Sequence, residues 1–489
     1  MTLWELVERR SRDAPGAASV LFENQKLTNR EFHDRALSVA RGLAGLGIGR
    51  GDVVAVQLPN IPEYLLSYAA ICALGATLQP VHMPYRRAEL ATLLGHSEAR
   101  AFICLSRLKE ERPPGLKNVV SLGEPEAGAI AFSSLVSAPA LGRVPEGSPE
   151  DRFLLLYTSG TTDNPKGVPH AQRGFLANAM ASVPELEISK EEIVLSAAPL
   201  THLYGLYAYH VSLCSGAAMS LLPAFTPPDL AKVIEKHRAS CVFAGPAHFK
   251  PLLDGGLLER HDFSSLRFAC LSGSPVPPEL AAAVERKLPG GKTIQLWGMT
   301  ELQAGSFSRP SDPADVRHGS AGAATPGTEL RVVDERLQVR GISLFSGYLK
   351  NEKATREAFT PEGWFETGDT AELSAAGHLR FTGRVKEIIN RGGVKYSPLD
   401  VEAIIDRMPG VARSAIVPYP DAVLGERACV FVQPAPGAPA ATLEAIMREL
   451  DRAGVAKFKW PERLELLEAM PLTPTQKVMR GRLRELLKR

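Results

Sequence analysis

The chain has 489 residues, a formal net charge of +2 and 45% hydrophobic residues. At about 100–200 residues per domain this length suggests more than one domain, and so small a net charge gives no support to a nucleic-acid-binding surface. No stretch approaches the about 18 uninterrupted apolar residues of a membrane span, and the charged N-terminus lacks a signal-peptide core, so we expect a cytoplasmic protein with no membrane span.

Helical and strand patterns alternate along the first three hundred residues. The sequence predicts helices at 28–46, 61–74, 86–94, 229–238 and 278–288, the first of them opening with a capping-box pattern at Thr28 and Glu31. It predicts strands at 52–58, 76–81, 101–105, 193–197, 217–222, 241–244, 266–271 and 293–296. Residues 110–148, rich in Pro, Gly, Ala and Ser, are predicted to be a surface connection. Repeated strand–helix alternation over this span predicts α/β architecture, a large N-terminal domain of stacked subdomains with largely parallel sheets.

The C-terminal part of the chain has a different pattern. Segments from 329 to 381 are β-like, and after Arg384 two short strands, at 412–418 and 428–433, lie among helices near 398–408 and 441–452. About a hundred residues of this kind suffice for a compact α+β domain. The predicted organisation is therefore an N-terminal domain at 1–383, a boundary at 384–386 and a C-terminal domain at 387–489.

A loop of glycine and hydroxyl residues follows a predicted strand at 153–156. Residues 157–168 read YTSGTTDNPKGV, and a helical pattern begins at about His170. Strand, glycine-rich turn and helix form a phosphate-binding arrangement, because backbone N–H groups, hydroxyls and a lysine can all face an anion. Pro165 stands where a Walker A loop has its second glycine. A solvated turn is the alternative, but it would not need five Thr, Ser and Lys side chains within nine residues.

Polar motifs also follow other predicted strands. In residues 271–275, LSGSP, Gly273 would let the backbone approach a flat ring closely. Residues 295–301, QLWGMTE, combine an aromatic ring with a hydroxyl and a carboxylate, which suit Mg²⁺ and phosphate oxygens; a strand end with a capping Thr–Glu pair is the alternative. Asp369, at a predicted turn that ends GWFETGD, can accept hydrogen bonds from two adjacent hydroxyls.

Two motifs near the C-terminus complete the series. Residues 383–393 read GRVKEIINRGG, and the adjacent glycines 392 and 393 would interrupt a helix. Residues 471–478 read PLTPTQKV and place Lys477 near the end of the chain, where an exposed terminal lysine is the alternative interpretation.

The order of these motifs from 157 to 477 resembles the adenylate-forming superfamily of acyl-CoA synthetases, luciferases and peptide-synthetase adenylation domains. Segments 62–64 and 84–90 look like those of cyclohexanecarboxylate or medium-chain acyl-CoA ligases. The resemblance implies activation of a small-molecule carboxylic acid by ATP and Mg²⁺, then transfer of the acyl group to coenzyme A. Acceptors left open are an amine or a carrier-protein thiol. A non-catalytic nucleotide-binding paralogue is a further alternative, against which Lys477, Glu301 and Asp369 together argue.

The resemblance also implies roles for individual residues. The implied catalytic residues are Lys477, Thr300, Glu301 and His202, with Glu301 and Thr161 as metal ligands. The implied ATP and AMP contacts are Thr158, Ser159, Gly160, Thr161, Thr162, Lys166, Gly273, Ser274, Pro275, Gln295, Leu296, Trp297, Gly298, Met299, Asp369 and Arg384. The implied acyl pocket is lined by His202, Tyr204, Ala247, His248, Gly273 and Met299, an apolar set without an arginine for a second carboxylate, which favours an alicyclic, aromatic or short-to-medium aliphatic monocarboxylic acid.

The small domain is implied to be mobile. It would rotate at Lys386, replacing Lys477 at the reaction centre with the Gly392–Gly393 loop, which would line the thiol tunnel. The chain departs from the pattern of the superfamily in several places: Asp163 and Gln476 replace glycines, Trp297 replaces the usual tyrosine, and residues 334–338 shorten a loop. If position 476 requires a positive φ, glutamine is costly there. The sequence carries no prediction of oligomeric state.

Overall fold

The computed structural model describes the chain except for residues 114, 125, 126, 143, 159–165, 422, 474, 475, 488 and 489. The helices are α1 Leu3–Asp13, α2 Asn29–Gly45, α3 Pro62–Ala73, α4 Arg87–Ser97, α5 Phe132–Val136, α6 Gln172–Glu185, α7 Leu203–Ser215, α8 Pro227–His237, α9 Pro246–Asp254, α10 Leu257–Arg260, α11 Pro278–Glu285, α12 Ala314–Gly319, α13 Glu352–Ala358, α14 Leu399–Ile405, α15 Leu443–Arg452 and α16 Arg480–Leu486. Short 3-10 turns lie at Ser106–Glu111, Val385–Glu387 and Lys457–Lys459.

The strands are β1 Ala18–Phe22, β2 Gln25–Thr28, β3 Val53–Gln57, β4 Thr77–Pro80, β5 Ala101–Leu105, β6 Asn118–Leu122, β7 Ile130–Ala131, β8 Arg152–Tyr157, β9 Gly167–Ala171, β10 Ile193–Ser196, β11 Ala218–Ser220, β12 Cys241–Ala244, β13 Phe268–Leu271, β14 Lys292–Met299, β15 Gln303–Phe307, β16 Ala323–Ala324, β17 Thr328–Val333, β18 Arg336–Gly341, β19 Phe365–Leu373, β20 Leu379–Arg384, β21 Ile389–Arg391, β22 Val394–Tyr396, β23 Val411–Asp421, β24 Gly425–Pro434 and β25 Arg463–Leu466.

The described residues form two compact units. The larger unit draws on Met1–Gly160, Asn164–Glu329 and Arg340–Phe359, and the smaller unit draws on Leu330–Val339 and Thr360–Arg489. The predicted α/β class is confirmed, because helices alternate with two largely parallel sheets in the larger unit. The predicted domain limits and the hinge at 384–386 concern a movement and stay a prediction.

One sheet of the larger unit has nine strands in the order β16–β15–β14–β13–β12–β10–β11–β1–β2. Neighbours from β14 to β1 run parallel, whereas β2, β15 and β16 pair antiparallel. Strand β12 is buried at every position, and α8 packs Leu230 and Ile234 into the same apolar core. Because the carboxyl ends of parallel strands meet at one edge of a sheet, the loops after β10, β12, β13 and β14 lie side by side.

The second sheet of the larger unit has seven strands in the order β7–β6–β5–β3–β4–β8–β9. Helix α2 opens with the predicted capping box, in which the Thr28 side chain accepts from the Glu31 amide and Glu31 accepts from Thr28. The predicted surface connection at 110–148 is wrong in part. Strand β6 pairs with β5, and α5 buries Phe132 and Leu135, each 2% exposed. Short apolar runs between Pro and Gly residues concealed these elements, since so few residues establish no period.

The helix predicted from His170 begins later in the structure. Strand β9 pairs antiparallel with β8, from Arg152 opposite Ala171 to Tyr157 opposite Gly167, and α6 begins at Gln172. Residues 167–171 read GVPHA, which has a proline and no run of apolar residues, so the strand was missed. The predicted strand–turn–helix arrangement is therefore wrong: the glycine-rich loop connects the two strands of a β-hairpin, and α6 follows only after the second strand.

The smaller unit contains antiparallel sheet and an α+β region, as predicted. Strands β18, β19 and β20 are antiparallel, in a sheet ordered β17–β18–β19–β20. A five-stranded sheet follows, ordered β22–β21–β24–β23 with β25 beside β24. Helices α14 and α15 cover one face with Ile405, Ile446 and Leu450, and α16 buries Leu483 in a separate apolar cluster. Within the described part of the chain, no helix combines the length and apolar character needed to cross a bilayer.

Candidate active site

Predicted site residues of the larger unit follow its parallel strands, at their carboxyl ends. His202 follows β10, His248 follows β12, Gly273 follows β13, and Thr300 follows β14. These strands are hydrogen-bonded neighbours, with β10 paired to β12, β12 to β13 and β13 to β14. Loops at one edge of a parallel sheet form the usual ligand crevice of α/β folds. The topology thus brings together motifs that the sequence places a hundred residues apart.

The predicted phosphate loop is described only at its base. Ser159, Gly160, Thr161 and Thr162 lie outside the described residues, as does Asp163, and their predicted contacts stay predictions. The Thr158 amide donates to the Lys166 carbonyl over 3.1 Å, which closes the base of the hairpin loop. Lys166 Nζ lies 4.5 Å from the centroid of the Tyr348 ring, a cation–π contact.

Glu301 is buried at the turn between β14 and β15, with 6% of its surface exposed. The Tyr348 hydroxyl donates to Glu301 Oε1 over 2.9 Å, and the Phe345 amide donates to the Glu301 carbonyl over 2.8 Å. Burial, with the adjacent Glu301 charge, raises the pKa of Tyr348, so its hydroxyl stays protonated and donates. A single carboxylate with an adjacent hydroxyl residue, Thr300, fits Mg²⁺ in a nucleotide site, where phosphates and waters complete the coordination.

Two buried histidines, His170 and His210, contact the turn between β14 and β15. His170 Nε2 donates to the Thr300 carbonyl over 2.7 Å, and burial lowers the pKa of His170 to about 4. Gln303 Nε2 lies 3.0 Å from His210 Nδ1, and His210 Nε2 lies 2.9 Å from the Tyr68 hydroxyl. Burial lowers the pKa of His210 to about 3, with a smaller contribution from repulsion by His170 when that residue is protonated. Both imidazoles are therefore neutral, and they position the turn without adding charge.

The predicted ATP and AMP contacts of residues 273–275 and 295–299 form a pocket prediction that the structure places on β14 and the loop after β13. A Cβ at Gly298 would lie 2.1 Å from the Gln303 carbonyl oxygen, so only glycine fits there. A Cβ at Gly305 would lie 2.3 Å from the six-membered ring of Trp297, which is 7% exposed. Gly273 has a φ of +89° and open space beside it. The remaining predicted residues of this pocket are Gln295 and Leu296, which are 8% exposed, and Ser274 and Pro275, which are exposed.

His202 caps the N-terminus of α7, with Nδ1 accepting from the Tyr204 amide over 3.1 Å. Its ring stacks on His82, with centroids 6.3 Å apart, and His82 Nδ1 lies 3.0 Å from Thr201 Oγ1. Burial lowers the pKa of His82 to about 4. A cavity at this point is lined by Pro80, His82, Tyr85, Leu93, Leu156, Tyr157, Thr201, His202, Leu203 and Thr300.

The other predicted acyl-pocket residues have varied surroundings. The Tyr204 hydroxyl donates to the Cys270 carbonyl over 2.7 Å, so the ring rather than the hydroxyl is left to line a pocket. His248 Nδ1 accepts from the Gly245 amide over 2.9 Å, and burial lowers the pKa of His248 to about 4. Ala247 and Met299 are half-buried. Burial therefore keeps both His82 and His248 neutral near pH 7.

The smaller unit carries a second cluster of predicted site residues. Asp369 is 3% exposed and pairs with Arg384, whose Nε lies 3.0 Å from Asp369 Oδ1. The prediction of a turn at Asp369 is wrong: the residue lies within β19, opposite Arg384 on β20, although Gly368 has a φ of +73°. The pairing of β19 with β20 also has a register shift, between Thr370 and Ala371.

Lys477 is half-buried in a tight turn in which the Thr473 amide donates to the Lys477 carbonyl over 2.7 Å. Burial, with the Arg384 charge, lowers the pKa of Lys477 to about 8, against the opposing charges of Asp369 and Glu387. Gln476 has a φ of +64°, so the condition under which glutamine is costly there is met.

We expect replacement of Gln476 by glycine to stabilise the smaller unit by up to about 1 kcal/mol, because glycine adopts a left-handed conformation without steric cost. Urea denaturation of the full-length protein measures this. Arg238→Gly is the matched control, since Arg238 has a φ of +52° in the larger unit. A decrease in stability with Gln476→Gly alone would show that contacts of the glutamine side chain outweigh the strain.

The predicted hinge and tunnel residues adopt defined local structures. Lys386 lies in the 3-10 turn Val385–Glu387, and its carbonyl accepts from Arg484 over 3.1 Å. Gly392 and Gly393, with φ of +59° and +87°, form the two-residue turn of the β21–β22 hairpin. Two positive φ values are what a type I′ turn requires. Their roles in rotation and in the thiol tunnel stay predictions.

Comparison with known proteins decides which family this is. The family model for AMP-binding enzymes matches residues 7–349, and the model for the C-terminal domain of AMP-binding enzymes matches residues 400–477.

The chain belongs to the AMP-binding enzyme family.

The recognised adenylate-forming superfamily is thereby confirmed, and relatives of this AMP-binding enzyme extend over the whole chain. It is 30% identical to the 3-[(3aS,4S,7aS)-7a-methyl-1,5-dioxo-octahydro-1H-inden-4-yl]propanoyl:CoA ligase of Mycobacterium tuberculosis (strain ATCC 25618 / H37Rv), covering 98% of each chain. It is 31% identical to the 2,3-dihydroxybenzoate-AMP ligase of Bacillus subtilis (strain 168), covering 99% of this chain and 93% of that one. The ATP-bound structure of MatB from Rhodopseudomonas palustris superposes with a TM-score of 0.89 at 25% identity, covering 100% and 99% of the two chains.

Sequence reasoning missed several residues that support the site of this AMP-binding enzyme. The predicted site residues include none of His82, His170, His210, Gln303 and Tyr348. His82 was within reach of prediction, because it follows the predicted strand that became β4 at the carboxyl edge of its sheet. The contacts of His170, His210 and Tyr348 with the turn join residues 47 to 130 positions apart, which no local pattern reveals.

Proposed function

We propose that this AMP-binding enzyme activates a monocarboxylic acid with ATP and transfers the acyl group to coenzyme A. Adenylation rests on Lys477, a lysine with a lowered pKa that is electrostatically coupled to Asp369 and Arg384. Coenzyme A as the acceptor is supported by the CoA ligase of M. tuberculosis, which matches the chain along its length.

In the first half-reaction a carboxylate oxygen attacks the α-phosphorus of ATP, and the bond to the bridging oxygen breaks, so pyrophosphate leaves with the electron pair. Lys166 and Lys477 provide ammonium groups for the negative charge that spreads over the phosphates, which makes catalysis chiefly electrostatic. Mg²⁺ held by Glu301 would neutralise phosphate charge. Asp369 suits the two ribose hydroxyls, because a carboxylate accepts from both.

In the second half-reaction the sulfur of a thiol attacks the acyl carbon. The carbon–oxygen bond to AMP breaks, AMP leaves with that electron pair, and the thiol proton passes to solvent. We assign the Gly392–Gly393 hairpin to this step, because a turn without side chains leaves room for a narrow acceptor beside the backbone.

The acid is proposed to be alicyclic, aromatic or short-to-medium aliphatic. His82 and His248 have pKa values lowered to about 4 by burial, so they are neutral near pH 7. The proposed lining His202, Tyr204, Ala247, His248, Gly273 and Met299 includes no arginine or lysine to pair with a second carboxylate. A dicarboxylic acid would leave one charge without a counterion.

The test is incubation of the purified protein with ATP, Mg²⁺ and a panel of carboxylic acids, with and without coenzyme A. Mass spectrometry follows acyl-AMP, acyl-CoA and AMP. Acyl-CoA formed with equal AMP release supports the proposal and identifies the acid. Acyl-AMP without acyl-CoA contradicts the acceptor and favours an amine or a carrier-protein thiol.

The pH dependence of adenylation follows from the pKa of Lys477, which is lowered to about 8. The ammonium form is the one that attracts phosphate, so the rate of ATP–pyrophosphate exchange should fall as the pH rises through about 8. Glu387→Gln removes a negative charge that raises this pKa, and should move the descending limb to lower pH. Glu465→Gln, at an exposed pair with Arg463, is the control that should leave the limb in place. If the descending limb of the pH profile does not move in Glu387→Gln, the group that titrates is not Lys477.

A further inference from the structure

Residues 345–349 are attached to two motifs of the larger unit that the sequence separates by more than a hundred positions. The Phe345 amide donates to the Glu301 carbonyl over 2.8 Å, and the Leu349 amide donates to the Gly167 carbonyl over 2.8 Å. One short segment is therefore hydrogen-bonded both to the carboxylate turn and to the strand that follows the phosphate loop.

The side chain of Tyr348 repeats this connection. Its hydroxyl donates to Glu301 Oε1 over 2.9 Å, and Lys166 Nζ lies 4.5 Å from its ring centroid. A hydrogen bond to a carboxylate is stronger than one between neutral groups, and the face of an aromatic ring attracts an ammonium. One neutral side chain thus contacts an anion with its hydroxyl and a cation with its ring.

The backbone around Tyr348 is held in one conformation. Gly347 has a φ of +151°, and a Cβ there would lie 2.7 Å from the Thr355 methyl group. The Tyr348 amide donates to Thr355 Oγ1 over 2.9 Å, and the Phe345 ring packs edge-on at 4.8 Å from the Tyr348 centroid. The Tyr348 ring therefore has supporting contacts within its own segment, in addition to those with Lys166 and Glu301.

Lys166 contacts the Tyr348 ring and Glu301 contacts the Tyr348 hydroxyl, so the two charged groups lie within reach of one side chain. Because the ammonium and the carboxylate are oppositely charged and partly buried, they attract each other. A direct ion pair between Lys166 and Glu301 would occupy the two groups that phosphate and the metal ion need. A neutral aromatic between them binds each charge separately. Serine at position 348 would lack the ring that contacts Lys166, and leucine would also lack the hydroxyl that contacts Glu301.

We propose that Tyr348 is a positioning residue that keeps the Lys166 ammonium and the Glu301 carboxylate from pairing with each other before nucleotide and metal bind. The inference rests on the proposed use of ATP and Mg²⁺. Two independent contacts carry it, one through the hydroxyl and one through the ring, and they are separable by substitution.

Tyr348→Phe removes the hydroxyl and keeps the ring. We expect the Mg²⁺ concentration that half-saturates the metal-dependent part of ATP binding to rise by about tenfold, the loss of one hydrogen bond to a charged group, while ATP binding without metal changes less than twofold. Isothermal titration calorimetry on the full chain measures both quantities. Tyr209→Phe removes a buried hydroxyl elsewhere in the larger unit and should change neither.

Tyr348→Leu removes both contacts and should also weaken metal-free ATP binding by about tenfold, because Lys166 then pairs with Glu301. The added substitution Glu301→Gln releases Lys166 and should restore metal-free binding to within threefold of wild type. A merely structural role for Tyr348 predicts no such rescue.

Three results would overturn the inference: Tyr348→Phe with unchanged Mg²⁺ dependence, Tyr348→Leu with unchanged metal-free binding, or the double variant binding ATP no better than Tyr348→Leu. Wild-type protein that fails to bind ATP at all would overturn the proposed function as well, so the two failures are distinguishable.

Discussion

Replacing Lys477 with alanine is expected to lower acid-dependent ATP–pyrophosphate exchange by at least about 100-fold, the loss typical of removing one preorganised group that stabilises transition-state charge. The same variant should convert supplied acyl-adenylate and coenzyme A to thioester within about threefold of the wild-type rate. The physical reason is that pyrophosphate departure concentrates negative charge on phosphate oxygens, whereas thiol attack on the acyl carbon releases an AMP that already exists as a phosphate ester.

Lys459→Ala is the matched control for Lys477→Ala, because Lys459 is a partly exposed lysine of the same unit that lies 3.6 Å from Asp400. It should leave both half-reactions unchanged. An equal loss of both half-reactions in Lys477→Ala, with an unchanged melting temperature, would contradict the assignment of this lysine to adenylation alone. The converse substitution, Gly393→Val, should impair thioester formation more than exchange, since valine is strained at a φ of +87°.

The fold was predictable wherever a segment carries a strong local signal. The strands at 101–105 and 241–244 were predicted with the boundaries that the structure has, and the capping box of α2 was predicted from Thr28 and Glu31. These segments are decided locally, by continuous apolar runs or by a pair of residues three positions apart. Errors fell on segments with a weak apolar pattern, such as β6 and β9, which are strands in the structure because they pair with β5 and β8.

The candidate site was predictable where its residues lie in contiguous sequence motifs. Glycine at 298 and positive φ at 273 and 393 follow from local crowding or turn geometry, and each was marked by a glycine in the sequence. The supports of the site were not marked in this way. His170, His210 and Tyr348 contact the 300–303 turn only because the sheets and the 345–349 segment fold against it. A buried polar residue next to an apolar run has the same local signature whether it braces an active site or a core.

A buried ion pair between Arg480 and Glu402 anchors the segment of the smaller unit that carries Lys477. Arg480, three residues beyond it, donates to both carboxylate oxygens of Glu402, over 2.6 and 2.7 Å, and its Nε lies 3.1 Å from Glu387 beside the predicted hinge. Glu402 is 8% exposed in its side chain and also accepts from the Ile416 amide. This pair ties α14, β23 and the start of α16 together, so the segment that carries Lys477 is anchored through a buried ion pair.

Arg480→Met should therefore destabilise the smaller unit by about 3–5 kcal/mol, because Glu402 is left as a buried charge without its partner. Hydrogen exchange of peptides from β23 and β24 should accelerate, while peptides from β12 and β13 in the larger unit keep their protection. Arg482→Met removes an exposed arginine of the same helix, paired with Glu485 at 66% and 59% exposure, and should change stability by less than about 1 kcal/mol. The double variant Glu402→Gln with Arg480→Met removes the stranded charge and should recover part of the loss. If the double variant is no more stable than Arg480→Met, the arginine stabilises the unit by packing and not by neutralising Glu402, and the anchoring of Lys477 must then be ascribed to the apolar contacts of α16.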